Sequence, residues 1–277
     1  MDSVPLAARA AVVVSLVSQL ACAGVSLPQP GLPAADVVAG FDTRDYPGDE
    51  AMAAWLASSP YRWVGYYLGA PCYTGTSWQG RRAALHTAGW GTAAIFVGEQ
   101  DWSAMQLTAG DSTVAEEGAR CTTRNLTVEQ GRLDAQSADS AMAAEGFAPG
   151  TPVFLDVERM EQVSSAMEAY VRAWFDAMLA LGRYPPALYA HERNVTTLYE
   201  TGRAAFAAAG RSDTPILWVA RAGDFDVTRR PSDSGILTAS IWQGVFDDRQ
   251  TWGGVTLVVD GNVASPAIPG ILPSRSR

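Results

Sequence analysis

The stretch PVFLDVERM, from Pro152 to Met160, carries two acidic residues, Asp156 and Glu158, in a run that otherwise has the composition of a buried β-strand. Side chains two residues apart on a strand share a face, so we expect the two carboxylates on one side, about 6.5 to 7 Å apart at the backbone. Like charges among apolar neighbours repel each other and lose hydration. Either a neighbouring group compensates the pair, or the pair serves a site that uses shifted pKa values.

Seven other short apolar segments resemble this one, and helical patterns lie between several of them. The eight strand segments are 37–43, 62–69, 92–100, 151–158, 186–192, 215–221, 239–244 and 257–263. Helices are predicted over 49–59, 78–89, 126–147, 164–182 and 195–210. The segment 164–182 has the clearest apolar stripe at helical spacing, with Ser164 or Ser165 as its cap and Gly182 at its end. The intervals 222–238 and 245–256 are predicted to be loops.

Alternating strands and helices predict an α/β fold with parallel strands that are buried on both faces. Eight units in about 230 residues fit a (β/α)8 TIM barrel with reduced late helices, and a doubly wound sheet is the alternative. We place the barrel at 37–265, after a signal peptide at 1–23 and a linker at 24–36, and before a flexible C-terminal tail at 266–277.

Polar side chains recur at or near the C-terminal ends of the predicted strands. They are Asp42, Glu99, Asp156, Glu158, His191, Arg221, Gln243, Asp260 and Asn262. In a barrel these ends meet at one mouth, where the active sites of this fold lie. For either acid alone, the alternative is a structural role, in which the carboxylate at the strand end contacts only water or an arginine such as Arg159. Two acids on one face, with Asp42 and Asp260 at the same mouth, favour a functional site.

Aromatic residues near the strand ends are a further signal, since sugar rings stack on such faces. They are Tyr66, Tyr67, Trp218 and Trp242, with Trp102 after a strand. Core packing is the alternative for about half of them, because aromatic side chains are generally buried. We assign Trp55, Trp63, Trp90 and Trp174 to the core.

The composition excludes several classes of function. A net charge of −9 and a pI of about 4.7 give no basic surface for nucleic acid. The chain has no lysine, which excludes a Schiff-base or P-loop lysine. His86 and His191 are the only histidines and make no zinc centre, and no G-x-S-x-G elbow occurs. We predict no cofactor and no metal, although magnesium on carboxylates stays open.

The N-terminus, MDSVPLAARAAVVVSLVSQLACAG, has the layout of a secretory signal peptide that is too short to span a membrane. A lipoprotein acylated at Cys22 is the alternative. Cleavage leaves Cys72 and Cys121, and an isolated pair in an exported protein favours a disulfide. The protein is therefore expected outside the cell or at the cell wall, without a transmembrane span.

The ordered set GFDT…FLDVE…LYAHE…LWVAR…IWQG…VDGNV, from about Val38 to Ala264, resembles the glycoside-hydrolase-like TIM-barrel domain known as domain of unknown function 1906. That domain is in turn similar to the muramidases of glycoside hydrolase family 25. The resemblance implies that Glu158 is the general acid, that Asp156 assists it, and that Asp42 and Asp260 are the matching acids of the first and last strands. The segment 102–150 has no obvious muramidase counterpart and is interpreted as a lid or wall.

We therefore predict a secreted, monomeric glycoside hydrolase-like protein that acts on peptidoglycan or another extracellular polysaccharide through Glu158, Asp156 and Asp42. The substrate-binding residues are predicted to be Asp260, Gln243, Trp242, Tyr66, Trp218, His191, Glu99, Arg221 and Asn262. Two other classes stay open: a barrel that binds wall glycan without cutting it, and a phosphodiesterase that uses carboxylates and a metal.

Overall fold

A computed structural model describes residue 1 and residues 37–101, 125–158 and 160–272 of the 277-residue chain. The predicted signal peptide and linker lie outside these ranges apart from Met1, so both stay predictions.

The described chain alternates strands and helices over most of its length. The strands are β1 Val38–Asp42, β2 Trp63–Tyr67, β3 Gly91–Val97, β4 Val153–Val157, β5 Pro186–His191, β6 Leu217–Ala220, β7 Ile241–Trp252 and β8 Val255–Ala264. The helices are α1 Asp49–Ser58, α2 Arg82–Ala88, α3 Val128–Ala144, α4 Ser165–Leu181 and α5 Val195–Ala208. A short 3-10 helix, Pro231–Ser234, lies within the predicted loop 222–238.

The eight strands close into a barrel in the order β1 to β8, which confirms the predicted TIM-barrel-like α/β fold. The neighbours from β1 to β7 are parallel, whereas β8 is antiparallel to both β7 and β1. Parallel strands need a long crossover, but antiparallel strands can be joined by a two-residue turn. The turn between β7 and β8 contains Gly253 and Gly254, both with positive φ. The prediction of a loop over 245–256 is therefore wrong, because these residues form a long hairpin.

Helix α4 shows how local sequence signals fix an element. Its N-cap Ser164 accepts a hydrogen bond from the backbone N–H of Met167, and its C-cap Gly182 takes the left-handed conformation at φ 71°. The buried face includes Met167, Val171, Trp174 and Met178, which recur at helical spacing. Burial of this face against the barrel and α3 stabilises the helix more than intrinsic propensity does.

Aromatic side chains fill the barrel interior below the mouth. The indole of Trp218 packs edge-on against Trp63 and Phe154, with ring centroids 5.4 and 5.5 Å away. Gly40 of β1 makes room for this cluster, because a Cβ there would lie 2.1 Å from the Trp63 ring. The four tryptophans assigned to the core, Trp55, Trp63, Trp90 and Trp174, are all buried. These packed aromatic side chains form the floor of the barrel, directly below the residues of the mouth.

The segment after β8 packs beneath the barrel. The N–H of Thr92, at the start of β3, donates to the carbonyl of Gly270 at 2.7 Å, and Ile271 is fully buried. The prediction of a flexible tail over 266–277 is thus corrected for residues 266–272, because Ile268 and Ile271 bury apolar surface there. No helix within the described ranges is long and apolar enough to cross a membrane.

Candidate active site

Four carboxyl groups from three strands meet at the mouth of the barrel. The register pairs Asp42 at the end of β1 with Asp260 of β8, so both side chains face the interior. Asp156 precedes the last residue of β4, and Glu158 follows the strand. The charges of Glu158 and Asp42 both raise the pKa of Asp156, which places the carboxyl groups within electrostatic reach of one another.

Asp42 is buried and held by two donors. Its Oδ1 accepts a hydrogen bond from Asn262 Nδ2 at 2.7 Å, and its Oδ2 accepts one from the Tyr67 hydroxyl at 3.0 Å. Burial raises the pKa of Asp42 well above its usual range, and the charge of Asp260 raises it further, while the two donors act in the opposite direction. The position of this carboxyl group is therefore fixed, and its charge is controlled by its neighbours.

Asp156 is the buried member of the acid pair, with 4% of its surface exposed. Its Oδ1 has no hydrogen-bond partner within the described part of the chain. Burial raises the pKa of Asp156 well above its ordinary value, followed by the charges of Glu158 and Asp42. An acceptor left unpaired in a buried site is costly, so this oxygen is suited to a donor brought by a ligand.

Glu158 is the exposed member of the pair. Its backbone N–H donates to Gln100 Oε1 at 2.9 Å, which anchors the residue just beyond the end of β4. The two acids of the opening stretch thus occupy different environments, one inside the barrel and one facing solvent. Such a difference separates the protonation behaviour of paired acids.

Asp260 reaches the mouth because β8 runs in the opposite direction to the other strands. The expectation that Asp260 lies at the C-terminal end of its strand is corrected: it lies in mid-strand, where the antiparallel register brings it opposite Asp42. Gln243 Nε2 and the N–H of Asp247 donate to its two oxygens at 2.5 and 2.7 Å. Burial raises the pKa of Asp260 to about 6. Gln243 Oε1 is buried and has no partner among the described residues.

Two tyrosines belong to this site. Tyr67 was noted as an aromatic residue near a strand end but was left out of the predicted binding set, and Tyr189 was not predicted. Tyr67 donates to Asp42, and Tyr189 of β5 pairs in register with Asp156 and faces the same side. Burial raises the pKa of both hydroxyls well above the usual range, and the charges of Asp42, Asp156 and Glu158 add to this. Strand parity is the signal that could have found Tyr189, since it lies two residues before His191 on the same strand.

Three of the predicted sugar-binding aromatics do not line the mouth. The Tyr66 side chain points out of the barrel, and its hydroxyl oxygen lies 2.6 Å from the Trp78 carbonyl oxygen and 2.5 Å from Glu145 Oε2. Trp242 donates to the Arg221 carbonyl at 2.8 Å and is 1% exposed. Trp218 is buried in the floor, where its Nε1 donates to Asn262 Oδ1 at 2.9 Å. The prediction that these three aromatic side chains stack on sugar rings is therefore corrected. Trp218 instead holds the amide of Asn262 in place.

Glu99 and Arg221 also lie away from the acid cluster. Asn125 Nδ2 donates to Glu99 Oε1 at 3.2 Å, and burial followed by the charge of Asp134 raises the pKa of Glu99 to about 7. Arg221 forms an ion pair with Glu192 at 2.6 Å on the surface. We therefore leave both out of the acid cluster, because Glu99 is engaged by Asn125 and Arg221 by Glu192.

His191 remains at the mouth, whereas Asn262 lies just below it, opposite Gly40 of β1. His191 is half-buried at the end of β5, and its Nδ1 accepts the N–H of Arg193 at 3.1 Å. His191 lies beside Ala220 of β6 in the register, and Ala220 lies beside Gln243 of β7, so the three side chains face the same side. The Gln243 side chain in turn reaches Asp260. The predicted binding set is thereby reduced to Asp260, Gln243 and His191, with Tyr67 and Tyr189 added. Asn262 is fully buried with both ends of its amide bound, so it holds Asp42 in place and does not face a substrate.

Part of the predicted lid lies in the helical layer around the barrel. Helix α3 packs on α4, with Asp134 accepting a 2.6 Å hydrogen bond from the Tyr170 hydroxyl. Cys72 is buried and its Sγ lies 3.8 Å from Glu99 Oε2, while Cys121 and Trp102 lie outside the described residues. The disulfide Cys72–Cys121 therefore stays a prediction. Across the described ranges, no group of three or more His, Cys, Asp and Glu side chains is placed to hold a metal ion.

Comparison with known proteins gives a family match. Residues 53–264 match the family model of the Rv2525c-like, glycoside hydrolase-like domain, and no curated protein matches. An uncharacterized protein of B. stearothermophilus has a similar solved structure, with a TM-score of 0.55 at 15% identity over 85% of this chain and 99% of that one. The spore cortex lytic enzyme SleM of Clostridium perfringens has a TM-score of 0.55 at 11% identity over 88% of this chain and 71% of that one. At these identities the structural likeness shows the fold alone.

Proposed function

This chain belongs to the Rv2525c-like, glycoside hydrolase-like family, and from that premise we propose that it hydrolyses glycosidic bonds in peptidoglycan or another extracellular polysaccharide. The observation that carries the proposal is the acid pair at the mouth, with Asp156 buried and Glu158 exposed. Glycoside hydrolysis uses two carboxyl groups beside the scissile bond, one of which must give up a proton.

Glu158 is the proposed proton donor because its side chain is the exposed one and can meet a substrate. Its proton passes to the glycosidic oxygen as the bond from that oxygen to the anomeric carbon breaks, and the leaving sugar departs as an alcohol. Water then adds to the anomeric carbon and its proton returns to the carboxylate of Glu158. Bonds and protons balance over the cycle, and no cofactor takes part.

Asp156 is the proposed partner of Glu158 in this reaction. An ionised Asp156 stabilises the positive charge that develops on the sugar ring, or orients an acetamido group of the substrate as the nucleophile when an N-acetyl sugar is bound. Its unpaired Oδ1 supports either role, because that oxygen has an acceptor position to offer. Because burial raises the pKa of Asp156, its ionised form depends on the positive charge that develops beside it, and the attraction between the two charges is stronger in a site shielded from water.

Asp42, Asp260 and their donors are proposed to set the charge of the mouth and to hold substrate hydroxyls. The unpaired Gln243 Oε1 can accept a hydrogen bond from a hydroxyl or amide of the sugar. Tyr67 and Tyr189 lie beside the acids and offer hydroxyl groups of their own.

A cell-wall glycan is the first substrate to test. The similar fold of SleM, described as a spore cortex lytic enzyme, supports that choice. We also propose that the protein is secreted, in line with the predicted signal peptide, and that it acts as a monomer.

Release of reducing ends is the experiment that tests the function. The full chain is incubated with insoluble peptidoglycan and with a panel of soluble glycans between pH 4 and 8, and products are identified by mass. We expect Glu158→Gln to lower the rate about 100-fold or more, since a general acid contributes about 10²- to 10⁴-fold. Glu161→Gln is the matched control, because Glu161 is an exposed glutamate that pairs with Arg193 at 3.4 Å; its rate should equal that of the wild type.

Other outcomes separate the competing functions. Binding to the wall glycan without cleavage at any pH would replace the hydrolase with a glycan-binding barrel. Activity on a phosphodiester that disappears on chelation would indicate the metal-dependent phosphodiesterase. Equal rates for Glu158→Gln and the wild type would refute the assignment of the proton donor.

A further inference from the structure

Glu158 lies beyond the regular hydrogen bonding of its strand. The last register pair between β3 and β4 joins Val97 to Asp156, and β4 ends at Val157. The N–H of Gly98 reaches the Asp156 carbonyl at 3.3 Å, after which the two backbones no longer pair as strands. Something other than the sheet must therefore hold the backbone of an exposed residue at this point.

The side chain of Gln100 takes over where the sheet ends. Its Nε2 donates to the carbonyls of Gly98 and Asp156, both at 2.9 Å, and its Oε1 accepts the N–H of Glu158 at 2.9 Å. A carboxamide offers two donors and an acceptor, and all are used here on backbone groups. Gln100 is fully buried. It thus fixes the backbone on both sides of Val157, and with it the spacing between Asp156 and Glu158.

Asn194 holds the chain on the other side of Glu158. Its Oδ1 accepts the N–H of Met160 and its Nδ2 donates to the Met160 carbonyl, both at 3.1 Å. Asn194 is 2% exposed and occupies the N-cap of α5, yet its side chain makes no capping hydrogen bond. An asparagine at an N-cap normally accepts from the first turn of its helix. Here both ends of its amide are bound to the backbone two residues after Glu158.

The two amides come from the two neighbours of β4 in the barrel, since Gln100 follows β3 and Asn194 follows β5. We propose that Gln100 and Asn194 are positioning residues, which hold Glu158 over Asp156 from both sides without touching substrate. The inference rests on the proposed function insofar as Glu158 is the proton donor. A displacement of about 1 Å at a reacting group can lower a rate about 100-fold, so anchoring of this kind has kinetic consequences.

Gln100→Met and Asn194→Ala test the proposal. Each variant removes the hydrogen bonds of one amide, and Gln100→Met keeps a side chain of similar volume. We expect kcat on a cleaved glycan to fall about tenfold or more while KM stays within about twofold, because the loss affects the placement of the proton donor. Carboxyl NMR titration should show the pKa of Asp156 moving down towards its ordinary value, since the charge of Glu158 is no longer held beside it.

Ser59→Ala is the matched control. Ser59 is also buried, and its Oγ accepts the backbone N–H of Tyr61 at 3.2 Å, between α1 and β2. This variant loses a buried hydrogen bond from side chain to backbone before the start of β2, at the opposite end of the barrel from the acids. It should keep the kcat and the Asp156 titration of the wild type.

The possible results either support the positioning role of the two amides or overturn it. Folded variants with the kcat and the Asp156 titration of the wild type would overturn it. If Gln100→Met does not fold, Asn194→Ala gives the answer, because it removes no helix cap; failure of both to fold would assign the amides a general structural role and would also overturn it. If the wild type cleaves no glycan, the proposed function fails, and the NMR titration alone still decides whether the amides position Glu158.

Discussion

Asn262 donates a hydrogen bond of 2.7 Å from Nδ2 to Asp42 Oδ1 inside the barrel. The other end of the same amide accepts from Trp218 Nε1 at 2.9 Å. Asn262 thus connects the aromatic floor to an acid of the mouth, and the three residues come from β8, β6 and β1. A tryptophan that was predicted to bind sugar instead orients the donor that holds a carboxyl group.

Asn262→Ala should lower the free energy of unfolding by about 2 to 3 kcal/mol, because it leaves the Trp218 N–H and one Asp42 oxygen without a partner in a buried place. Urea denaturation at pH 7 measures the change. Thr256→Ala is the control on the same strand, since its hydroxyl hydrogen-bonds to Thr251 on the exposed part of the hairpin. The control should change the unfolding free energy by less than about 0.5 kcal/mol. Similar losses in both variants would contradict the role given to Asn262.

Glu99 should make the protein less stable as the pH rises. Its pKa is raised from 4.5 to about 7, so between these values the folded state binds more protons than the unfolded state. Stability is then highest at or below about pH 4.5 and declines as the pH passes through 7. Glu99→Gln removes this dependence, so it should melt at a higher temperature than the wild type at pH 8 and at a similar temperature at pH 4.

Thermal unfolding at the two pH values checks this prediction. Glu200→Gln serves as the control, because Glu200 is exposed on α5 and pairs with Arg203 at 2.9 Å. Its melting temperature should stay close to that of the wild type at both pH values. A Glu99→Gln variant that gains nothing at pH 8 would show that Glu99 is not strained by its burial beside Asp134.

Asp260 should shift the pH profile of the proposed activity. Its pKa is about 6, and its negative charge raises the pKa of Asp42. Asp260→Asn removes that charge, so the pKa of Asp42 should fall and the acidic limb of kcat/KM should move to lower pH. Initial rates from pH 4 to 8 measure the limb. Asp176→Asn, on the exposed side of α4, should leave the acidic limb unchanged. If the limb does not move in Asp260→Asn either, the ionisation of Asp42 does not control the activity.

Gly91→Ala should destabilise the fold through the segment beneath the barrel. A Cβ at Gly91 would lie 1.9 Å from the backbone carbonyl oxygen of Ile271, which cannot rotate away. We expect a loss of about 3 kcal/mol, at the upper end of overpacking effects. At Gly69 the nearest atom to an added Cβ is the mobile Gln79 Nε2, at 3.3 Å. Gly69→Ala should therefore cost less than about 1 kcal/mol, and thermal unfolding compares the two.

The sequence was sufficient to predict the barrel, because apolar strands and amphipathic helices alternate at a regular spacing. It also indicated the mouth, since acids lie at or just after the ends of several predicted strands. It did not predict the direction of β8: Gly253 and Gly254 mark a turn, but residues 247–251 before the turn are too polar to look like a strand. The polar character arises because the hairpin extends beyond the barrel and is partly exposed.

The sequence also could not show which of two adjacent side chains faces the barrel interior. Tyr66 and Tyr67 are neighbours of the same type, and only the register of β2 shows that Tyr67 faces Asp42 while Tyr66 faces the helices. Trp242 and Gln243 pose the same problem on β7. Glu99 lies past the end of β3, where strand parity no longer applies and contacts with Asn125 decide its direction.

The antiparallel closure of the barrel restricts which insertions and deletions the chain can tolerate. Residues can be added at Gly254 in the tip of the hairpin, where a Cβ would meet nothing within 4 Å, without moving the acids, whereas Gly253 packs against Ala54 of α1. Between Gln243 and Asn262, where the strands pair close to the mouth, a shift of one residue would turn Asp260 outward and bring Val259 in. Length variation among natural relatives should therefore gather at the tip and avoid the base of the hairpin.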